Sequence, residues 1–282
     1  MEKLDNKHLA LYEAKGGIVG VDGSTNRVGG SYPHFVEVFQ GLAKSTLMKD
    51  EPIYKADIYS PLFSNIQKNV LEEDEKKEIE TKNRLLSDIE VKVALEAVKR
   101  YKPFGVLMDG SLIRYYIYSY DLWMQLRSEC EEKGIILVGV IKDIKTTIIG
   151  DKLGDVYPQF RINAYDRELL FGILDYGEVI IIDDDVNSKK KSGYSSVFMR
   201  SSRSPAVIGM DIIDSQKDYL EEMSRLIFTL TPENSRGVPL WLDLVDKEVQ
   251  ISDALMKGLL ERYLDRGLYE RFFVSERAKR TL

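Results

Sequence analysis

Twice in this chain an apolar strand runs straight into Asp-Gly-Ser, and no other feature limits its folding so closely. The first copy is Ile18-Val-Gly-Val-Asp22-Gly-Ser-Thr-Asn26 and the second is Phe104-Gly-Val-Leu-Met-Asp109-Gly-Ser-Leu-Ile113. Valine and isoleucine fit a buried pleated strand, whereas Gly and Ser supply the backbone freedom and local hydrogen bonding of a tight turn. Each copy is therefore expected to end a strand with its carboxylate presented at a sheet edge. A single copy would be an ordinary β-turn. At ordinary residue usage the tripeptide is expected roughly once in several thousand positions, so two copies, each closing an apolar run, point to a metal or phosphate site.

The elements between and around these copies set the topology. Residues 35–43 and 53–59 read as further strands, the latter bounded by Pro52 and Pro61, which makes a three-stranded antiparallel meander. From Ser64 to Arg100 there is no proline or glycine, and Leu86, Ile89, Val93 and Val98 form a buried stripe on an expected helix. The charge run Leu71–Glu78 reads as its solvated face. Glu90 lies beside the stripe, with Glu96 its rival on the same helix. Asp109 ends the fourth strand, and the tyrosine-rich Tyr115–Tyr120 leads into a helix that Gly134 stops. The fully apolar Ile135–Ile141 is the fifth strand and ends in Lys142 and Asp143. Three meandering strands, helix, strand, helix, strand is the order of the ribonuclease H-like fold, in which acids on the first strand, first helix and fourth strand meet around divalent metal.

The second half is less regular. Expected are a helix over 165–174, strands over 178–183, 195–199 and 206–213, and helices over 217–230 and 240–265. Asp183-Asp-Asp185 precedes Asn187-Ser-Lys-Lys-Lys-Ser-Gly193 and reads as a solvated hairpin loop. Residues 1–16 read as a polar helix or arm with Leu9, Leu11 and Tyr12 as docking residues, and the basic tail Arg271–Arg280 as a frayed end or a nucleic-acid contact. With no linker, repeat or low-complexity segment, residues 1–282 are expected to form one α/β domain. Its ribonuclease H-like core is placed at about 17–142 plus the helix at about 240–265.

Composition limits the chemistry. Cys130 is the only cysteine, and His8 and His34 are the only histidines, which excludes an intramolecular disulfide and a cysteine- or histidine-rich zinc site. Any metal must be held by oxygens, which suits Mg²⁺ or Mn²⁺. No run approaches the roughly 18 apolar residues of a membrane span, and Met1-Glu-Lys-Leu-Asp-Asn-Lys is too polar for a secretory signal. The expected location is the cytoplasm. A net charge of -6 speaks against a surface coated all over with nucleic acid but leaves room for a local basic groove.

From Val21 to about Ser252 the chain resembles the NurA nucleases. The resemblance rests on Val21-Asp-Gly-Ser24, Asp109-Gly-Ser-Leu112, a Glu 19 residues before Asp109, Val138-Gly-Val-Ile-Lys142, Asp166-Arg-Glu-Leu-Leu170 and Gly237-Val-Pro-Leu-Trp-Leu-Asp-Leu-Val-Asp246. It implies a metal-dependent nuclease with single-strand endonuclease and 5′-to-3′ exonuclease activity on DNA ends. It also implies a HerA-type hexameric ATPase as partner, a homodimer, and metal ligands Asp22, Glu90 (not Glu96) and Asp109. Where the family usually ends its metal set with a His, Asp246 stands here, with Asp243 one helical turn earlier. Four packed carboxylates need a cation to offset their repulsion. Two ions about 4 Å apart could activate a water and stabilise the leaving 3′ oxygen. Lys142, leaving the fifth strand, could neutralise phosphate charge or orient the water, or could simply cap a strand. Tyr115–Tyr120 could stack on unpaired bases or serve packing.

Two other classes remain at this point. Gly20-Val-Asp-Gly-Ser-Thr25 is similar to the first phosphate loop of sugar kinases and actin-like ATPases, which share the core fold. A non-catalytic subunit docking on an ATPase ring is the other. No P-loop, Gly-x-Ser-x-Gly elbow or His-Glu-x-x-His helix is present.

Overall fold

The computed structural model describes residues 1–30, 32–64, 75–157 and 164–272. After the short helix α1 (Asn6–Ala14) come the meandering strands β1 (Ile18–Gly29), β2 (Phe35–Ser45) and β3 (Ile53–Tyr59), and then α2 (Pro61–Ser64) and α3 (Glu75–Tyr101). Next follow β4 (Gly105–Asp109), α4 (Leu112–Tyr118), α5 (Tyr120–Lys133) and β5 (Ile136–Ile141). One eight-stranded sheet has the order β3-β2-β1-β4-β5, continued by β8 (Ile208–Ile213), β7 (Tyr194–Met199) and β6 (Val179–Ile181). β1, β2 and β3 pair antiparallel, whereas β1–β4 and β4–β5 pair parallel. This is the expected ribonuclease H-like mixed sheet, with three antiparallel strands added on the β5 side.

Both faces of the parallel centre are dry, which is why its strands read as unbroken apolar runs. Val19, Val21, Val106 and Met108 pack on one side with Val91 and Val98 of α3 and Trp123 of α5. Ile18, Leu107, Ile136 and Val138 pack on the other with Met223 of α8 (Leu220–Leu230) and Leu242 of α9 (Leu240–Val249). Gly134 closes α5 in the left-handed conformation, as expected. Gly41 lets α3 approach: a Cβ there would lie 3.0 Å from the Ile89 carbonyl oxygen. No helix among the described residues is long and apolar enough to cross a membrane.

Several expectations are corrected. β1 does not turn at Gly23; it continues to Gly29, with Asp22 opposite Leu42 of β2. What ends at Val21 is the parallel pairing with β4. The glycine serves closeness rather than a turn, because a Cβ on Gly23 would lie 2.6 Å from Oε1 of Glu90. The tyrosine-rich segment is helical itself, forming the end of α4 up to Tyr118, with Ser119 separating it from α5, which Tyr120 opens. The helix over 165–174 shrinks to α7 (Asp166–Leu169), and the strand over 178–183 to the three residues of β6. Residues 214–219 are a 3₁₀ turn before α8. The expected helix over 240–265 is two, α9 and α10 (Asp253–Tyr263), the second started by Ser252, whose side chain accepts from the Leu255 amide at 3.2 Å. Two further helices among the described residues are α6 (Ile148–Val156) and α11 (Arg266–Phe272); α6 carries Gly150 and Gly154, which weaken a helical reading. Asp184 pairs with Lys190 and Lys217 in a solvated loop. Residues 71–74 of the charge run Leu71–Glu78, and the tail from residue 273 on, lie outside the described residues, whereas residues 75–78 open α3.

Two glycines test the packing. Gly41→Ala must push back the α3 backbone and is expected to cost about 1–3 kcal/mol. Gly258→Ala, in the interior of α10 with nothing within 4 Å of its Cβ position, is expected to add about 0.5–1 kcal/mol. Urea unfolding of the two variants checks the opposite signs.

Candidate metal centre

Register brings the first two acids together. Val21 lies opposite Met108 at the end of the β1–β4 pairing, so the next residue on each strand, Asp22 and Asp109, emerges side by side where the strands part. The third acid arrives from far along the chain. α9 crosses β1 at Gly20, where a Cβ would lie 3.1 Å from Val245 and 3.2 Å from Trp241, and Trp241 Nε1 donates to the Lys44 carbonyl at 3.0 Å. Ser24 Oγ donates to the Val249 carbonyl and Asn26 Nδ2 to the Ile251 carbonyl, which fix the end of α9 against β1. The result is that Asp22, Asp109 and Asp246 each offer a carboxylate oxygen within 4.8 Å of the others. Asp22 is buried; Asp109 and Asp246 remain partly open to solvent.

Glu90 lies beside this group rather than in it. It is 1% exposed, and one of its oxygens accepts from Tyr115 Oη at 2.6 Å and from Arg114 Nη2. Glu96 lies elsewhere, partly exposed and paired with Lys55 at 2.7 Å and Arg100 at 3.4 Å. Lys142 Nζ donates to Asp109 and, at 3.2 Å, to Asp246, so it is more than a strand cap. Arg236 Nη2 spans Asp243 Oδ1 at 2.7 Å and Asp246 Oδ2 at 2.9 Å. Asp243 is thus paired with Arg236 and outside the three-acid group.

The electrostatics follow from this crowding. Burial, with the charges of Asp109 and Glu90 beside it, pushes the Asp22 carboxyl up to about 9. Burial also raises Asp109, against the pull of Lys142, and Glu90, against that of Arg114. For Asp246 burial acts upward too, but hydrogen bonds and charge from Arg236 and Lys142 outweigh it and hold the group below the usual carboxylate range. An all-oxygen donor set whose buried member resists ionisation is the chemistry that a hard divalent cation stabilises, so the residues present fit Mg²⁺ or Mn²⁺.

Sequence reasoning missed Arg114, the role of Tyr115, and Arg236. Arg114 is the one basic residue of α4 and follows the second Asp-Gly-Ser by three positions, a signal that was available. Arg236 lies in the loop before Gly237 and carries no local signal. Among the tyrosines, Tyr115 is fully buried and stacked on Trp123 at 5.5 Å, so it packs and holds Glu90 rather than meeting bases, whereas Tyr120 is exposed. The phosphate-loop reading of Gly20–Thr25 does not hold, since those residues are continuous strand.

The class is that of ribonuclease H-like folds with acids clustered where β1 and β4 part. The family is specific: a model described as the NurA domain matches residues 16–251, and the chain belongs to the NurA family of nucleases. No curated protein matches the chain. Among solved structures, endonuclease V of Bacillus subtilis is 14% identical, with 89% of this chain and 84% of that one covered and a TM-score of 0.40. The catalytic domain of human endonuclease V is 12% identical, with 91% and 94% covered and a TM-score of 0.44. Endonuclease V of Ciona intestinalis, in complex with an inosine-containing DNA, is 15% identical, with 87% and 86% covered and a TM-score of 0.43.

The raised Asp22 gives a pH signature. The unfolded carboxyl titrates near 3.9 and the folded one near 9, so the folded protein holds a proton that the unfolded chain gives up. Stability from this group is full below about pH 4 and is lost as pH rises towards 9. In chelator, the parent's Tm is expected to fall relative to that of Asp22→Asn between pH 5 and 9, and Mn²⁺ is expected to reverse the difference. Parallel curves for the two proteins would contradict the assignment.

Proposed function

We propose that this chain is a metal-dependent deoxyribonuclease that acts on DNA ends. The observation that carries the reading is the convergence of Asp22, Asp109 and Asp246, with Glu90 beside them, in a member of the NurA family. Asp22, Glu90, Asp109 and Asp246 would hold Mn²⁺ or Mg²⁺, in one or two sites. Bound there, the cation supplies an activated water and neutralises charge on the scissile phosphate. The chain's own residues do the rest. Arg114 and Tyr115 hold one oxygen of Glu90 and leave the other next to Gly23. Lys142, within reach of both Asp109 and Asp246, is placed to meet a phosphate oxygen or to orient the attacking water once those acids are occupied. The partial exposure of Asp109 and Asp246 leaves a side from which a strand can approach.

The finer reading comes from family membership: single-strand endonuclease and 5′-to-3′ exonuclease activity, a homodimer, and work with a HerA-type hexameric ATPase in DNA end resection in the cytoplasm. DNA binding would be local, through basic residues near the site, despite the net charge of -6. Each phosphate contact then adds about -0.7 to -0.9 to the slope of log affinity against log salt.

Labelled single- and double-stranded DNA incubated with Mn²⁺ tests the proposal. Asp22→Asn and Asp109→Asn are expected to lose activity by more than the roughly 10–100-fold typical of outer-shell partners, while circular dichroism stays unchanged. Glu90→Gln should be as damaging and Glu96→Gln silent. Asp246→Ala should slow cleavage severely, Asp246→His should recover part of it with Mn²⁺, and Asp243→Ala should do much less. Cleavage by Asp22→Asn at the parent's rate would overturn the metal assignment.

A further inference from the structure

The serine of the second Asp-Gly-Ser does not belong to the acidic group, and its hydroxyl goes somewhere unexpected. Ser111 stands at the N-cap position of α4, with extended backbone, yet its side chain makes no capping bond. An N-cap serine ordinarily accepts from a backbone amide of the first turn. Here Ser111 Oγ instead donates to Asp211 Oδ2 on β8. Asp211 is fully buried and is met by three further donations: Lys189 Nζ to both of its oxygens at 2.7 and 2.8 Å, and Ser196 Oγ at 2.7 Å. Lys189 is itself 8% exposed. A buried ion pair is costly to desolvate and is weak evidence for stability in itself, so a specific use for it is worth seeking.

Its position supplies one. Ser111 lies two residues after Asp109 and three before Arg114, on the turn that joins a member of the acidic group to the arginine that holds Glu90. That turn is fixed at two other points. The Gly110 amide donates to the Val140 carbonyl at 2.8 Å, and the Gly110 carbonyl oxygen lies where a Cβ on Gly139 would come within 2.5 Å. Gly110 has φ of +119°, so the turn has left ordinary backbone territory and is held there by its surroundings. Gly139 is also the register partner of Asp211, so the same pair of strands supports the turn from below and anchors its hydroxyl.

We propose that Ser111, with the buried Lys189–Asp211 pair behind it, is a positioning residue of the metal centre. It sets the turn that places Asp109 against Asp22 and Arg114 against Glu90. This rests on the nuclease reading above. The ion pair is a poor probe, because removing one partner leaves an unpaired buried charge. Ser111→Ala and Ser196→Ala form the cleaner comparison, since each deletes one hydroxyl donor to the same carboxylate and only the first touches the turn.

Two readouts are needed, Mn²⁺ affinity by calorimetry and hydrogen exchange at the Gly110 and Arg114 amides. Ser111→Ala is expected to weaken Mn²⁺ binding by about 10-fold or more, in the range of outer-shell partners, and to speed exchange at both amides. Ser196→Ala should leave both readouts near the parent, and Ser111→Thr, which keeps the hydroxyl, should recover most of the affinity. Equal effects of the two alanine variants on both readouts would overturn the proposal. A parent that binds no Mn²⁺ would overturn the nuclease reading instead. The exchange comparison then still decides the positioning claim, which stands on selective loosening of the turn by Ser111→Ala and falls without it.

Discussion

Like charge held at short range is the constraint around which this molecule is arranged. Asp22, Asp109 and Asp246 bring carboxylate oxygens within 4.8 Å of one another, and at that spacing each ionised pair repels by on the order of 3–4 kcal/mol for an effective dielectric near 20. A domain has about 5–15 kcal/mol of net stability in all, so three such charges in a partly dry site need compensation. Lys142 and Arg236 supply some of it at Asp109 and Asp246. Neither forms an ion pair with Asp22, the most buried of the three, which is where a proton or a cation is most strongly favoured.

Holding such a group together requires backbone that cannot retreat. Two acids sit on adjacent parallel strands just past their last paired residues, so the sheet sets their separation. The third is delivered by a helix that reaches the sheet only because Gly20 has no side chain, and Gly23 does the same for Glu90. The serines of the repeated tripeptide act as ties: Ser24 to the end of α9, Ser111 to a carboxylate buried on β8. In both copies Asp supplies charge and Ser fixation, while the glycine serves close approach at Gly23 and a left-handed turn at Gly110.

Much of this was legible in the chain itself. The order of strands and helices marks the ribonuclease H-like core, and the apolar runs that end at Asp22, Asp109 and Lys142 mark those three residues, whereas Glu90 and Asp246 stand out only through the resemblance to the NurA pattern. The turn expected at Gly23 was misplaced because Asp-Gly-Ser has local turn chemistry, and a contact with Glu90, 67 positions away in the chain, overrode it. Arg236 and the Ser111–Asp211 bond are non-local pairings of residue types that are common on any surface, so neither periodicity nor spacing marks them. The break between α9 and α10 is hard to see in the sequence because only the short stretch at Gln250–Ser252 makes it, and Ser252 is a cap whose signal is weak beside the apolar run of α10. Glu90 could be separated from Glu96 only by a family pattern; in the fold the two differ plainly, one buried beside Asp22 and the other in a surface ion pair.

Crystals grown with Mn²⁺ and measured at the manganese absorption edge address the central claim directly. An anomalous peak coordinated by oxygens of Asp22, Asp109 and Asp246, with Lys142 moved off at least one of them, is the expected result. Density confined to other carboxylates such as Asp183–Asp185, or no peak at a saturating Mn²⁺ concentration, would contradict it.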